Sequence, residues 1–310
     1  MKKLFTLLAL TISFSMNAQL TAVTENGNTG QRLSTSNASN HGDIGFNAVD
    51  LSYSSSSSST RGATGSIAVA MGFSTTASGS NAVAMGGGTT ASGNESTAMG
   101  GGTTASGWYS TAMGYYTAAS GNYSTAMGNN TVASGDTSTA MGRRTTASDY
   151  SSTVIGQYNS SGSSATSADS FSTSAPAFVI GNGTASNAKS DAFKVMFNGD
   201  TTVSNDLTVS GDVVISSDAR LKSNIVSLGS TLPKLLQIDG KSYEMKGKQK
   251  IGVLAQEIKE VFPELVSEDD NEMLAVNYQG LVPVLINALK EQQSEIDELK
   301  EMVQELASRD

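Results

Sequence analysis

Hydrophobic and polar positions recur every fourteen residues along residues 63–160. Ala-Met-Gly marks the period at 70–72, 84–86, 98–100, 112–114, 126–128 and 140–142, and Val-Ile-Gly continues it at 154–156. Ala-Ser-Gly is a second marker, at 77–79, 91–93, 105–107, 119–121 and 133–135. A fixed period of this length is typical of a solenoid in which each repeat forms one coil.

Each repeat predicts a short strand with two distinct faces. In the stretch Asn81–Met85, Val83 and Met85 share one face while Ala82 and Ala84 share the other. The two glycines of each repeat predict two corners, because glycine reaches backbone angles closed to other residues. A coil this thin encloses little core, so one face is expected to fill the coil and the other to pack on another chain.

The repeats admit two other interpretations. Low-complexity disorder fits the polar stretches 54–59 and 159–174, but not a strict period with apolar positions. An ice-binding solenoid would use surface rows of paired threonines such as Thr75-Thr76, and those rows lapse at Ala118 and Val132. The pattern therefore favours a folded, mostly β region over the first two-thirds of the chain.

The stretch 161–216 regains apolar character and predicts a linker followed by a β stalk. Strands are expected at 178–181 and 193–197, and again at 207–209 and 213–215. We expect this stalk to be intertwined between chains and to end at Ser216.

From Ser217 to the end of the chain, the pattern changes to a small α+β domain that ends in a long helix. Apolar residues in this helix step by four and three, which predicts a coiled coil over about 280–308. A plain amphipathic helix packed on its own domain is the alternative. The seam consists of Leu285, Leu289, Gln292, Ile296, Leu299, Val303 and Leu306.

The N-terminus predicts a signal peptide over residues 1–18. Lys2 and Lys3 precede an apolar run that is too short to span a bilayer, and Ala18 offers a small residue for cleavage. A polar segment, 19–62, follows. We therefore expect an exported protein, secreted or at the cell surface, with no integral membrane segment after removal of the signal.

Composition narrows the chemistry further. The net charge of −9, without a basic patch, argues against nucleic acid as a partner. Without cysteine, thiolate catalysis and Cys-based zinc sites are excluded. The single histidine, His41, is expected to be a surface residue, and Asp269-Asp270-Asn271 lacks the further ligands of a calcium loop. We expect no cofactor and no metal.

The repeat resembles the head of YadA-like trimeric adhesins. The residues that carry the resemblance are the Ala-Met-Gly and Ala-Ser-Gly markers, as in Ser96–Gly100 and Ala105–Gly107. The resemblance implies a parallel β-roll that associates as a homotrimer. It leaves open which matrix, glycan or cell-surface ligand the head binds, and how a fibre without the anchor of that class is tethered.

The C-terminal segment resembles the intramolecular chaperone of endosialidases and other phage tail fibres. The resemblance rests on the blocks 217–222, 252–257, 262–266 and 278–281. It implies a domain that helps a β-rich trimer fold and then cuts itself off as a serine peptidase. On the matching positions Ser217 is the nucleophile, Lys222 is its base, and the bond between Ser216 and Ser217 is cut.

Asp218, Arg220, Leu221, Gln256 and Glu257 belong to the same blocks and are expected to support the site, without an assigned catalytic role. The chemistry is coherent because a serine hydroxyl needs a base, and lysine can serve once it is desolvated. No other enzymatic activity is expected. The alternatives are a fibre whose chaperone does not cut and a tailspike-like protein that acts on glycans. The second is disfavoured because the repeats hold few acids.

Overall fold

The computed structural model describes residues 20–269 and 272–308, so the predicted signal peptide lies outside the described residues. The chain divides into two compact units, one ending at Gly211 and the other beginning at Asp212. Among the described residues, no helix combines the length and the apolar character needed to cross a membrane.

The first unit is a parallel β-solenoid, as the fourteen-residue period predicts. Each coil contributes one long and one short strand, and each residue lies beside its fourteenth successor, as in the pairing of Met113 with Met127. The long strands are β3 (Val49–Tyr53), β5 (Val69–Phe73), β7 (Val83–Gly87), β9 (Thr97–Gly101), β11 (Thr111–Tyr115), β13 (Thr125–Asn129), β15 (Thr139–Arg143) and β17 (Thr153–Gln157). The short strands are β4 (Gly62–Ala63), β6 (Thr76–Ala77), β8 (Thr90–Ala91), β10 (Thr104–Ala105), β12 (Ala118–Ala119), β14 (Val132–Ala133) and β16 (Thr146–Ala147).

Alanine fills the interior of the coils. Ala84 and Ala91, from a long and a short strand, are fully buried, and their equivalents repeat along the whole solenoid. Val83 and Met85 lie half-buried on the outer face, as the alternation predicts. Thr75 and its equivalents are buried inside the coil. The threonine pairs therefore do not form the surface rows that an ice-binding solenoid would need.

The glycine of Ala-Met-Gly and the glycine of Ala-Ser-Gly are required for different structural reasons. Gly114 of Ala-Met-Gly has φ +122°, and a Cβ there would collide with the carbonyl oxygen of Gly128 in the next coil. Gly107 of Ala-Ser-Gly lacks a positive φ, yet its Cβ would collide with the carbonyl oxygen of Gly121. The glycine of Ala-Ser-Gly is thus required by close stacking of the backbone between coils. The prediction that both glycines adopt unusual backbone angles holds only for the glycine of Ala-Met-Gly.

The ladder begins before the repeats that the sequence marks. Strands β1 (Leu20–Glu25) and β2 (Asn28–Leu33) form an antiparallel hairpin, and β2 pairs in parallel with β3. Part of the stretch 19–62 therefore adds to the first coils.

At the other end, β18 (Pro176–Asn182) pairs in parallel with β17 across a long intervening loop. Buried Asp149 holds this loop, since its Oδ1 accepts the backbone N–H groups of Thr166 at 2.5 Å and Ser167 at 2.8 Å. Strands β19 (Asp191–Met196) and β20 (Thr201–Val203) then add antiparallel.

Residues 204–218 are exposed and carry no regular secondary structure. The strands expected at 207–209 and 213–215 are therefore absent from the single chain. Their apolar side chains, among them Leu207, Val213 and Val214, face solvent. A strand needs partners on at least one edge, and here a single chain provides none for this stretch.

The second unit is a small α+β domain that ends in a long helix, as predicted. Its core is formed by Ile258, Phe262 and Val284. Two short strands at 266–268 and 274–276 pair antiparallel, and the sequence pattern did not indicate the first of them. The elements are α1 (Leu232–Leu235), β21 (Lys241–Met245), β22 (Lys248–Gly252), α2 (Ala255–Val261), β23 (Val266–Glu268), β24 (Leu274–Val276) and α3 (Leu281–Ala307).

Candidate functional site

The hexapeptide 217–222 folds into a single 3-10 turn near the start of the second unit. Asp218 caps the turn: its Oδ1 accepts the backbone N–H of Arg220 at 2.9 Å. Lys222 ends the turn, and its own N–H donates to the carbonyl of Ala219 at 3.1 Å. The chain therefore folds back on itself, which brings positions 217 and 222 to the same side of the turn.

The Ser217 hydroxyl and the Lys222 ammonium are in contact. Lys222 Nζ lies 2.8 Å from Ser217 Oγ, a normal hydrogen-bond distance, and both side chains are exposed. A lysine ammonium carries three donors and no acceptor, so the lysine donates and the serine accepts. If the lysine were a neutral amine, its nitrogen could accept the proton of the Ser217 hydroxyl across the same distance.

Asp218 and Arg220 form a two-pronged ion pair beside this contact. Arg220 Nη2 lies 2.6 Å from Asp218 Oδ2, and Nε lies 3.1 Å from both carboxylate oxygens. The Arg220 guanidinium holds the pKa of the Asp218 carboxyl below its usual range, with help from the backbone N–H. The pKa of Arg220 is raised by the same hydrogen bonds. The pair spans the turn beside the Ser217–Lys222 contact, and both of its side chains are solvent-exposed.

The other motif residues lie at three different places in the unit. Glu257 Oε1 lies 3.3 Å from Lys241 Nζ, and this ion pair ties α2 to β21. Gln256 lines a cavity of about 270 Å³ together with Tyr243, Leu254 and Tyr278. Leu221 is exposed at the turn. Neither Gln256 nor Glu257 contacts the Ser217–Lys222 pair within the described residues.

One residue that the sequence blocks did not single out, Glu291 on α3, caps α1. It accepts hydrogen bonds from the Ser230 hydroxyl at 2.7 Å and from the backbone N–H of Thr231 at 2.5 Å. These bonds lower the pKa of Glu291, with the Ser230 hydroxyl contributing most. The partners are separated by about sixty positions in the sequence, so spacing gives no signal for them.

The predicted seam of α3 is solvent-exposed in the single chain. Val284 and Ala288 are buried on one side of the helix, and the seam residues lie off that side. The exposed seam residues are Leu285, Leu289, Gln292, Ile296, Leu299, Val303 and Leu306. The coiled coil itself stays a prediction.

The expectation that His41 is a surface residue is wrong. Its side chain is buried in the first coils, with Nδ1 3.0 Å from Asp50 Oδ2. Ser52 Oγ donates to Asp50 Oδ1 at 2.6 Å and lies 3.4 Å from the same histidine Nδ1. Because serine and aspartate meet one and the same ring nitrogen, the trio lacks the relay geometry of a catalytic triad. Buried Arg32 joins it, 3.4 Å from Asp50 and 2.7 Å from Glu25.

Comparisons with known proteins agree with this two-part architecture. The family model described as the YadA head domain repeat matches residues 63–89, 91–117, 109–131, 119–145 and 133–159. The model described as the chaperone of endosialidase matches residues 217–267, a stretch that begins at Ser217 and ends before α3. No curated protein matches the chain. The first unit therefore carries YadA-type head repeats, and the second begins with a chaperone domain of the endosialidase type.

Proposed function

We propose that this chain is an exported, trimeric, adhesin-like surface fibre whose C-terminal domain, 217–310, assists folding and then removes itself. Ser217 attacks, Lys222 serves as base, and the bond between Ser216 and Ser217 breaks. The observation that carries this proposal is the 2.8 Å contact of Lys222 Nζ with Ser217 Oγ, at the start of the stretch that matches the chaperone family.

The proposed cleavage needs only Ser217, Lys222 and water. The lysine amine takes the proton of Ser217 Oγ, and the oxygen attacks the carbonyl carbon of Ser216. The bond from that carbon to the Ser217 nitrogen breaks as the lysine returns the proton to the nitrogen, which leaves an ester between the two residues. Water then hydrolyses the ester and yields a Ser216 carboxylate and a free Ser217 amine.

The lysine must lose its proton before it can act as base. An exposed ammonium stays charged in neutral water, whereas burial among apolar groups disfavours the charge. Exposed Leu221, Val214 and Ile215 flank the site in sequence. In a trimer these side chains could close over the lysine, which would make cutting depend on assembly. A full-length variant made monomeric by Leu289→Lys with Leu299→Lys, two exposed seam positions, that still cuts as fast as the trimer would contradict this coupling.

A removable chaperone suits a fibre of this kind. Non-local β pairing between chains forms slowly, and a compact domain that gathers three chains raises their effective concentration. The exposed seam of α3 supports trimerisation through a coiled coil. Once the head has closed, its barrier to unfolding holds it together without the template.

The deciding experiment is the intact mass of the purified protein, with its oligomeric state measured alongside. Wild type is expected to yield a fragment of 94 residues, 217–310. Ser217→Ala and Lys222→Ala are expected to stay full-length while still forming trimers. Ser223→Ala, an exposed serine just after the turn, is the matched control and is expected to cut like wild type.

Two results would overturn parts of the proposal. Wild type that remains full-length, like Ser217→Ala, would favour a chaperone that does not cut, an alternative compatible with the open, proton-donating lysine of the single chain. A folded, monomeric head would contradict the trimeric fibre itself.

A further inference from the structure

A polar cavity opens beside the buried histidine of the first coils. It has a volume of about 520 Å³ and lies between two loops, 37–43 and 54–61. The residues that line it are Ser39, His41, Gly42, Asp43 and the serines at 57–59. Small-molecule pockets are mostly lined by apolar and aromatic side chains. Because every side chain in this lining is polar or absent, the cavity suits a polar ligand.

The two loops are joined by hydrogen bonds, so the cavity is formed without a ligand. The carbonyl of Ser39 accepts the backbone N–H of Ser58 at 3.1 Å and the hydroxyl of Ser57 at 2.9 Å. The backbone N–H of Gly42 donates to the carbonyl of Arg61 at 2.9 Å. The run of serines in the second loop is therefore held in place, although its composition fits disorder.

His41 forms the buried wall of the cavity. Its residue is 6% exposed, and Asp50 behind it is fully buried. In the part of the chain that the structure describes, every polar contact of the ring is made through Nδ1, 3.0 Å from Asp50 Oδ2 and 3.4 Å from Ser52 Oγ. Because a carboxylate only accepts, Nδ1 carries the hydrogen, and the neutral ring offers Nε2 as an acceptor. A buried acceptor normally has a partner, so this ring edge calls for a ligand that donates.

The remaining polar groups of the cavity offer both acceptors and donors. The Ser57 hydroxyl donates to a backbone carbonyl, so its oxygen is left to accept. Ser58 Oγ accepts two backbone N–H groups at 3.2 Å each, so its hydrogen is left to donate. The hydroxyl of Ser59 and the carboxylate of Asp43 are exposed. A ligand that fits this set needs several donors together with some acceptors.

Neutral polyhydroxyl compounds meet this requirement best, because each hydroxyl both donates and accepts. An ammonium group only donates and would leave the hydrogens of Ser58 and Ser59 unpaired. An anion would face the Asp43 carboxylate. A metal ion is disfavoured, since the described residues contain no group of three or more His, Cys, Asp or Glu side chains that could hold one.

We propose that this cavity binds a neutral sugar unit. His41 Nε2 and the Asp43 carboxylate accept hydrogen bonds from sugar hydroxyls, and the Ser58 and Ser59 hydroxyls donate to sugar oxygens. The site is built from the first coils of one chain. It therefore depends neither on the proposed trimer nor on the proposed cleavage, and its failure would leave both unaffected.

Saturation-transfer NMR on the full chain tests the class of ligand. The probes are the methyl α-glycosides of mannose, galactose and N-acetylglucosamine, with butylammonium and acetate as charged probes of similar size. At least one glycoside is expected to receive saturation from the protein, and neither charged probe is. A protein that binds none of the glycosides, or that binds butylammonium or acetate in preference to them, would overturn the proposal.

Substitutions in the lining place the sugar in the cavity. Asp43→Ala removes an exposed carboxylate and is expected to weaken binding of the glycoside about tenfold, because a hydrogen bond to a charged acceptor is lost. Ser59→Ala removes a neutral partner and is expected to weaken it about threefold. Ser55→Ala, an exposed serine of the same loop outside the lining, is the matched control. Unchanged affinity in Asp43→Ala would overturn the assignment.

The single histidine allows its ring nitrogens to be observed without any substitution. Long-range ¹H–¹⁵N spectra of the untagged protein are recorded with and without the glycoside that binds. The Nε2 resonance of His41 is expected to shift on binding, and the Nδ1 resonance, held by Asp50, is expected to shift less. A glycoside that binds while Nε2 stays unchanged would lie elsewhere, and the proposed site would be wrong.

Discussion

The two units of this chain bury their apolar side chains in opposite ways. The head stacks small residues, such as Ala98 and Ala112, which are fully buried in every coil. The second unit has larger side chains but encloses few of them, mainly Ile258, Phe262 and Val284. Repetition lets a single chain close its own interior, whereas the long helix leaves a row of large side chains that needs other chains.

The difference is energetic as well as geometric. A leucine left exposed forgoes about 1.5–3 kcal/mol of hydrophobic stabilisation that burial would provide. Leu289, Leu299 and Leu306 are each exposed on α3. Association through this helix would recover that free energy, so the second unit is expected to be stable only where chains meet.

Separate optical signals report on the two units. The single tryptophan, Trp108, lies in the head, and the one long helix among the described residues lies in the second unit. Tryptophan fluorescence therefore follows the unfolding of the head, and the helical circular dichroism signal follows the second unit. The predictions below use this separation.

The largest loss of stability is expected from the buried cluster of Arg32, His41 and Asp50 in the first coils. Asp50→Ala removes the partner of buried His41 and one partner of buried Arg32, and breaking a buried pair in this way costs about 4 kcal/mol. Denaturant unfolding followed by tryptophan fluorescence measures the loss. Asp43→Ala, an exposed acid in the same region, is expected to change the free energy of unfolding little, and an equal loss in both variants would contradict the role of the cluster.

Gly107→Ala should destabilise the head by about 3 kcal/mol, because the added methyl group meets backbone that cannot move without opening the ladder. The control is Gly87→Ala, where a Cβ has open space and the backbone angle is ordinary. Thermal unfolding of both variants by fluorescence decides the matter. Similar midpoints would show that the stacking distance does not require the glycine of Ala-Ser-Gly.

Leu299→Ala tests the second unit. If the seam is buried between chains, the change costs about 2 kcal/mol per chain and makes the helical signal more dependent on protein concentration. Glu298→Ala, off the seam on the same helix, is the control. The fluorescence midpoint of the folded head should change far less than the helical one. A helix whose melting is independent of concentration would favour the plain amphipathic alternative.

The smallest expected effect is on the stability of the second unit at low pH. Hydrogen bonds lower the pKa of Glu291 in the folded protein, so its contribution is present above the ordinary glutamate value of 4.5 and is lost as pH falls through the lowered value. Glu291→Gln should therefore weaken the second unit at neutral pH and flatten its acid unfolding below pH 4.5. Circular dichroism against pH, with Glu295→Gln as the exposed control, measures it.

The fold of the head could be predicted from the sequence because every coil repeats the same pattern of buried and exposed positions. Alternation of Val83, Ala84 and Met85 predicts which side chains are buried, and the structure agrees. The first coils lack the markers, so the ladder over 31–62 was missed. Its core includes His41 and Asp50, and a polar stretch gives no periodic signal for a buried ionic cluster.

In the second unit, local patterns predicted the helices and the strand at 241–245, while longer contacts stayed hidden. The turn that joins Ser217 to Lys222 spans five positions, so a motif can encode it. The hydrogen bond between Glu291 and Ser230 joins residues 61 positions apart in the sequence, and no rule of sequence spacing predicts it. The stalk strands predicted at 178–181 and 193–197 correspond to β18 and β19. Those predicted at 207–209 and 213–215 are absent because their apolar residues require partners that one chain lacks.

Both ends of the parallel ladder are closed by antiparallel strands, β1 with β2 at the start and β18 with β19 and β20 at the finish. The edge strands of this sheet are therefore β1 and β20, in place of the long strands of the terminal coils. The interior coils, in contrast, are interchangeable. Adding or removing a whole fourteen-residue unit between the end pieces would change the length of the solenoid by about 4.8 Å, while the strands that end it stay the same.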